Sequence, residues 1–262
     1  MAYHITKDGH QLYYEHHGNQ DGPTILFLHG GPGLGTSSND LNYFDLKKVN
    51  VILLDQRGAG KSLPPGGLEN NNSQALVSDI LTLSNDLAIE KFLLFGGSWG
   101  STLALLFAIA HPTRVLGMVL RGLFTASRKE RQFFEEGGTK LFFPKAAARY
   151  RRQVPHTYSG SISTYYFQEI LAGDISKQEK MAYELMYYGI SVSRKKPYST
   201  AEIESRLAGG NFRKQARLLA HFSTHDFFIP DEYIIQQLPS ITQLPIRIVH
   251  GRYDMITTPL SH

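Results

Sequence analysis

The chain has 262 residues, 42% hydrophobic and 19% charged, a balance that suits a globular protein and excludes wholesale disorder. It contains no cysteine, which rules out disulfides and thiolate chemistry and permits a reducing compartment. The net charge of +4 comes from scattered clusters (Arg128-Lys129, Arg149 to Arg152, Arg194 to Lys196) with no nucleic-acid module around them. They read as solvated helix faces, and nucleic acid is not expected as a partner.

In chain order, the first twenty residues carry four histidines and no apolar run, which is not the pattern of a secretion signal. Leu12 to Gly18 alternates and ends in a turn-rich stretch, predicting an early strand or hairpin. Thr24 to Gly30 (TILFLHG) is a continuous apolar run stopped by glycines, as a parallel strand covered on both faces would be. Asn50 to Gly58 repeats that form, and Asn70 to Asn72 reads as a surface loop. Leu76, Ile80, Leu83 and Leu87 predict a helix over Ser73 to Ala88. A strand at Lys91 to Gly97, a helix over Ser101 to His111 and a strand over Arg114 to Gly122 complete the first half. This alternation predicts an α/β fold: a mostly parallel, twisted sheet with helices on both faces. The longest apolar run, Leu103 to Ala110, is too short to span a bilayer, so no membrane role is expected and the chain is expected in the cytoplasm.

The pattern changes after Phe124. From Thr125 to about Ser240 there is no buried-strand signature, and five stretches read as helices with polar breaks: SRKERQFFEEGG, PKAAARYRRQV, SKQEKMAYELMYYGI, STAEIESRLAGG and FRKQARLLAHFS. Pro245 to Asp254 then restores a strand. The expected organisation is a core over 1–124, a helical insertion over 125–240, and the remainder of the core over 241–262.

Three short motifs carry chemistry. Gly96-Gly97-Ser98-Trp99-Gly100 lies between a predicted strand and a predicted helix, the context that a G-x-S-x-G turn needs to present a serine nucleophile. The glycines relieve crowding around a strained serine, and the helix start brings free amides and a positive dipole end to it. His29-Gly30-Gly31-Pro32-Gly33 closes an earlier strand, where backbone N–H groups can face a developing oxyanion; the Gly31 and Trp99 amides are the expected donors. Asp254 closes the last recognisable strand, in agreement with a Ser…Asp…His order.

Together HGGPG, DQRGAGKS (Asp55 to Ser62), GGSWGSTLAL with HPTRVLGMVLRG, and VHGRYD closely resemble the proline iminopeptidases of the α/β-hydrolase superfamily. The resemblance runs from about Leu12 to Asp254 and is weakest in the insertion. It implies a serine hydrolase that releases an N-terminal residue, preferably proline, from peptides without metal or organic cofactor. It further implies a helical cap over 125–240, Ser98 as nucleophile, Asp254 as triad acid, and Gly31 and Trp99 as oxyanion donors. Arg57 reads as structural, pairing nearby carboxylates or carbonyls.

Two departures from the family pattern stand out. The family histidine follows a further helix and strand beyond the aspartate, on the order of 20 residues or more. Only Met255 to His262 follow Asp254, so the last strand and helix and the catalytic histidine are expected to be missing, with the last strand left as an unprotected edge. His262 is not expected to fold back into the role, and His29 and His250 read as structural. Family members also hold the substrate amine with cap glutamates in W-x-x-W-E and I-E-x-H-Y-F stretches. Here Tyr187 and Leu219 fall at the nearest positions, and Glu184, with Glu202 or Glu204 as alternatives, is the candidate replacement. An esterase or amidase of the same fold, or a non-catalytic homologue, are the alternatives.

Overall fold

The structure is a computed structural model that describes residues 2–135 and 138–259. Seven strands form one sheet: β1 (Ala2–Ile5), β2 (Gln11–Gly18), β3 (Thr24–Leu28), β4 (Asn50–Leu54), β5 (Phe92–Ser98), β6 (Val115–Leu123) and β7 (Ile246–Val249). Their order is β1-β2-β4-β3-β5-β6-β7. The β1/β2 and β2/β4 pairs are antiparallel, and every later pair is parallel.

Side-chain alternation sorts β3 and β4 between two cores. Leu26, Leu28, Ile52 and Leu54 pack with helices α1 (Ser73–Asp86) and α2 (Trp99–Ala110). Phe27, Val51 and Leu53 point the other way, against Leu41, Phe44 and Phe95. Every residue of β4 is buried, so its near-continuous apolar run reflects cover on both sides. The side chain of Asn72 caps α1 by accepting from Ala75 N, and Leu76, Ile80 and Leu83 form its buried stripe. The asparagine tract is therefore not a bare surface loop. Asn71 is 2% exposed, and its amide donates to the carbonyls of Arg57 and Gly67.

Between β6 and β7 the described chain is helical: α3 (Arg128–Glu135), α4 (Pro144–Arg152), α5 (Ile162–Ala172), α6 (Ile175–Val192), α7 (Thr200–Leu207), α8 (Phe212–Thr224) and α9 (Tyr233–Gln237). Most of these helices share their own core, built on Tyr150, Tyr166, Leu185, Tyr188 and Ala216. The crossing out of the sheet is clamped by buried Glu130, whose carboxylate accepts from Thr125 N at 3.0 Å, Thr125 Oγ1 at 2.6 Å and Ser127 N at 3.2 Å. A buried carboxylate is tolerated there because donors replace its lost water. Helix α8 docks the helical segment onto the sheet domain: Lys214 Nζ donates to Gly60 O at 2.8 Å, and His221 Nε2 donates to Asn71 O at 2.8 Å. Among the described residues no helix is long and apolar enough to cross a membrane.

Candidate active site

Ser98 sits where β5 turns into α2, with φ 53° and ψ −126°. A left-handed φ is costly for a residue with a Cβ and persists only where its surroundings force it. The flanking glycines show the force. A Cβ on Gly96 would lie 2.5 Å from the Gly100 carbonyl carbon and 2.8 Å from Ser101 N. One on Gly100 would lie 2.8 Å from the Leu28 carbonyl carbon and 2.9 Å from His29 O. The turn is thus pressed between its own helix and the end of β3, and only glycine fits on either side.

Ser101 and Thr102 brace the same turn. Ser101 Oγ donates to Ser98 O at 2.6 Å and accepts from Phe124 N at 3.0 Å, while Thr102 Oγ1 donates to Phe124 O at 2.7 Å. Two hydroxyls on the first turn of α2 thereby tie the serine to the exit of β6. Nothing in the motif marks them apart from their place after it.

The His29–Gly33 loop lies beside Ser98, as its position at the end of β3 requires. A Cβ on Gly30 would stand 3.3 Å from Ser98 Cβ and 3.8 Å from Ser98 Oγ. Ser98 and the Gly30-Gly31 pair are half-buried, open enough to meet a ligand. Helix α8 presses on the far end of this loop: a Cβ on Gly33 would meet Leu218 Cδ1 at 2.9 Å. Trp99 begins α2, fully buried, with its ring 5.0 Å from that of Phe222 and 5.4 Å from that of Phe227.

Asp254 arrives at the same end of the sheet. Ser98 is in register with Leu123 on β6, and a Cβ on the neighbouring Gly122 would lie 3.4 Å from Asp254 Oδ2. The carboxylate is oriented by Ile256 N at 3.0 Å and Thr257 N at 2.9 Å on Oδ1, and by Thr257 Oγ1 at 3.1 Å on Oδ2. His29 is committed to structure. Its Nε2 accepts from Gln56 N at 3.0 Å, so the proton resides on Nδ1, which donates to Gly30 O at 2.8 Å. Burial pushes its pKa down and keeps it neutral. His250 Nε2 donates to Thr257 O at 2.7 Å. Among the described residues no imidazole is hydrogen-bonded to Ser98 Oγ or to Asp254; His262 lies outside them.

The remaining candidates are placed elsewhere. Arg57 donates to Asp79 through Nε at 2.6 Å and Nη2 at 2.7 Å, and to Asp8 at 2.6 Å, the structural pairing its motif suggests. Glu184 on α6 receives a two-pronged bond from Arg149, Nε at 2.7 Å and Nη2 at 2.8 Å. The same guanidinium lies 3.5 Å from the centroid of the Tyr187 ring, and Leu219 packs against the helical core. No group of three or more potential metal ligands forms among the described residues.

This fold with this elbow defines an α/β hydrolase, and a family model for the alpha/beta hydrolase fold matches residues 23–262. The chain is 38% identical to a probable proline iminopeptidase of Leptolyngbya boryana, over 94% of this chain and 77% of that one. It is 36% identical to a proline iminopeptidase of Arabidopsis thaliana, over 97% and 67%. It is 38% identical to a putative proline iminopeptidase of Mycoplasma genitalium, over 95% and 81%. The chain belongs to the proline iminopeptidase family. Solved structures agree on the fold. An esterase from Exiguobacterium antarcticum superposes with a TM-score of 0.64 at 19% identity, covering 98% of this chain and 83% of that one. The proline iminopeptidase of Mycobacterium smegmatis gives 0.57 at 22% identity, covering 97% and 83%.

Proposed function

We propose that Ser98 is the nucleophile of an acyl-transfer reaction that releases the N-terminal residue, preferably proline, from a short peptide. The observation that carries this reading is the elbow: a serine at positive φ, forced between two sterically required glycines, at the start of a helix and against Gly30. Attack of Oγ on the substrate carbonyl carbon opens the C=O π bond and places negative charge on oxygen. The Gly31 and Trp99 backbone N–H groups stabilise that charge, and the α2 dipole adds to it. Collapse breaks the C–N bond, the peptide amine leaves with a proton, and water cleaves the acyl-enzyme in a second addition and collapse. The Oγ proton passes to a base that Asp254 orients, an imidazole in a triad of this order. Ser98, Asp254 and the Gly31 and Trp99 amides are the groups this reading uses, and no imidazole among the described residues is hydrogen-bonded to Ser98 Oγ or to Asp254.

The helices over 125–240 act as a cap whose α8 rests on the oxyanion loop, and 1–124 with 241–262 act as the core. The proline iminopeptidase names of its relatives support a peptide substrate and the proline preference. The Arg149–Glu184 pairing favours a second reading of specificity, an amidase or esterase of the same fold that selects by shape. A bidentate guanidinium already neutralises the carboxylate that a substrate ammonium would need.

A fluorophosphonate probe tests the nucleophile. In a form of the protein that carries a triad histidine, intact-mass and peptide mapping are expected to show one adduct, on Ser98, and none in Ser98→Ala. Equal labelling of the variant would overturn the assignment.

A further inference from the structure

Gln56, in the loop after β4, is 4% exposed and touches both sides of the proposed oxyanion hole. Its backbone N–H donates to His29 Nε2 at 3.0 Å, its side-chain Nε2 donates to His29 O at 2.8 Å, and its Oε1 accepts from Trp99 Nε1 at 2.8 Å. Its neighbours serve the loop itself: Asp55 accepts from Thr36 N and Lys61 N, and Arg57 pairs with Asp79 and Asp8.

We propose that Gln56 is a positioning residue that fixes the two oxyanion donors, Gly31 N–H and Trp99 N–H, relative to one another. The proposal rests on the reading that Ser98 performs acyl transfer, and it adds the device that sets the hole's geometry. On one side the coupling runs through His29. Because its Nε2 accepts from Gln56, its Nδ1–H is free to grip Gly30 O at 2.8 Å. The Gly30–Gly31 peptide is trans, so the N–H of Gly31 points opposite to the carbonyl that His29 holds. Turning that peptide would break the bond from His29, whose ring is itself buried and has Nε2 already engaged by Gln56. On the other side the coupling runs through the indole. The Trp99 ring is pinned at its N–H by Gln56 and packed against the tilted rings of Phe222 and Phe227. Its own backbone N–H is the second donor.

The chemistry requires an amide. One planar group must donate to His29 O and accept from the indole N–H. An ionised carboxylate only accepts, and a thioether or alkyl group leaves the indole N–H and His29 O unpaired. Preorganised donors act only on the developing charge, so misplacing them should lower kcat and spare KM.

Trp99 is the only tryptophan, so the full chain has one indole N–H resonance. ¹H–¹⁵N spectra of the unmodified chain, Gln56→Met and Gln56→Glu provide the test. Gln56→Met is expected to shift the indole signal and to shift or broaden the Gly31 amide, whose link to position 56 runs through His29 and Gly30. Gln56→Glu is expected to do the same while its carboxyl is ionised. Both signals should return toward their original positions as the pH falls and the neutral carboxyl donates again to His29 O. Turnover of a proline arylamide by either variant, for Gln56→Glu at pH values where its carboxyl is ionised, is expected to lose about 10²-fold in kcat with KM within about twofold. A Gly31 amide that stays in place in a folded Gln56→Met overturns the proposal, as does a raised KM with unchanged kcat. If Gln56→Met does not fold, the pH-dependent return in Gln56→Glu decides. Equal fluorophosphonate labelling of Ser98→Ala would sink the acyl-transfer reading, while the spectra still judge the coupling.

Discussion

A methyl group on Gly96 would stand 2.5 Å from the Gly100 carbonyl carbon, whereas one on Gly189 of α6 would meet nothing within 4 Å. These two glycines should respond oppositely to the same substitution. Gly96→Ala overpacks rigid backbone and is expected to destabilise by about 3 kcal/mol, lowering the melting temperature by roughly 6–12 °C. Gly189→Ala removes backbone entropy from the unfolded chain in a helix interior and should stabilise by about 0.5–1 kcal/mol. Thermal melts followed by circular dichroism measure both. A Gly96→Ala protein that melts with the unmodified chain would show that the elbow relaxes, and that sterics do not dictate its glycine. The elbow glycines were legible in the sequence because their cause is local. Gln56 was not, since the motif that contains it says nothing of a tryptophan 43 residues away.

At the scale of elements, the five helical stretches marked by the sequence all form, and α5 forms in addition. Its residues include Ile162, Thr164, Tyr165, Tyr166 and Phe167, β-branched and aromatic types with weak helix preference. Two things override that preference. Ser161 caps the helix by accepting from Thr164 N, and Tyr166 is buried with its ring 4.2 Å from that of Tyr150. The short α9 is likewise unmarked, because five residues are too few to show a period. Helix α6 carries the specificity argument. A site that grips an ammonium with buried acids rejects a blocked amine by about 10⁴-fold or more, because the acids are left unpaired. Glu184 is already held by Arg149, which lies over Tyr187, so little such penalty remains. Calorimetric titration should find the affinities for L-prolinamide and N-acetyl-L-prolinamide within about tenfold of each other. A ratio near 10⁴ that collapses in Glu184→Gln would show that this carboxylate does reach the substrate amine.

Across the whole molecule, the sheet is unevenly protected. Among the described residues β7 has β6 as its one neighbour, and its Ile248 and Val249 are 53% and 58% exposed. Beside it lies an open groove of about 240 Å³ lined by residues such as Ile25, Leu93, Leu116, Val119 and Pro245. An apolar strand edge with free N–H and C=O groups is a template for pairing with another chain. Sedimentation velocity is expected to show association that grows with concentration and is reduced in Val249→Lys, which places a charge on the edge. A monomer at all concentrations up to the solubility limit would mean that the edge is blocked in solution.

The alternation of strands and helices, the change to helices after Phe124 and the tight turn at Ser98 could all be read from the residues. Each of these follows from short-range causes: the two-residue period of a strand, the 3.6-residue period of a helix, and the room that glycine leaves. Which polar groups meet was settled by packing at long range. It paired Glu184 with Arg149 across 35 residues, buried Asn71 beneath Arg57, and hung His29 and Trp99 on Gln56. Such pairings depend on how separate elements pack, and a buried polar group bonds to whichever partner that packing brings within reach.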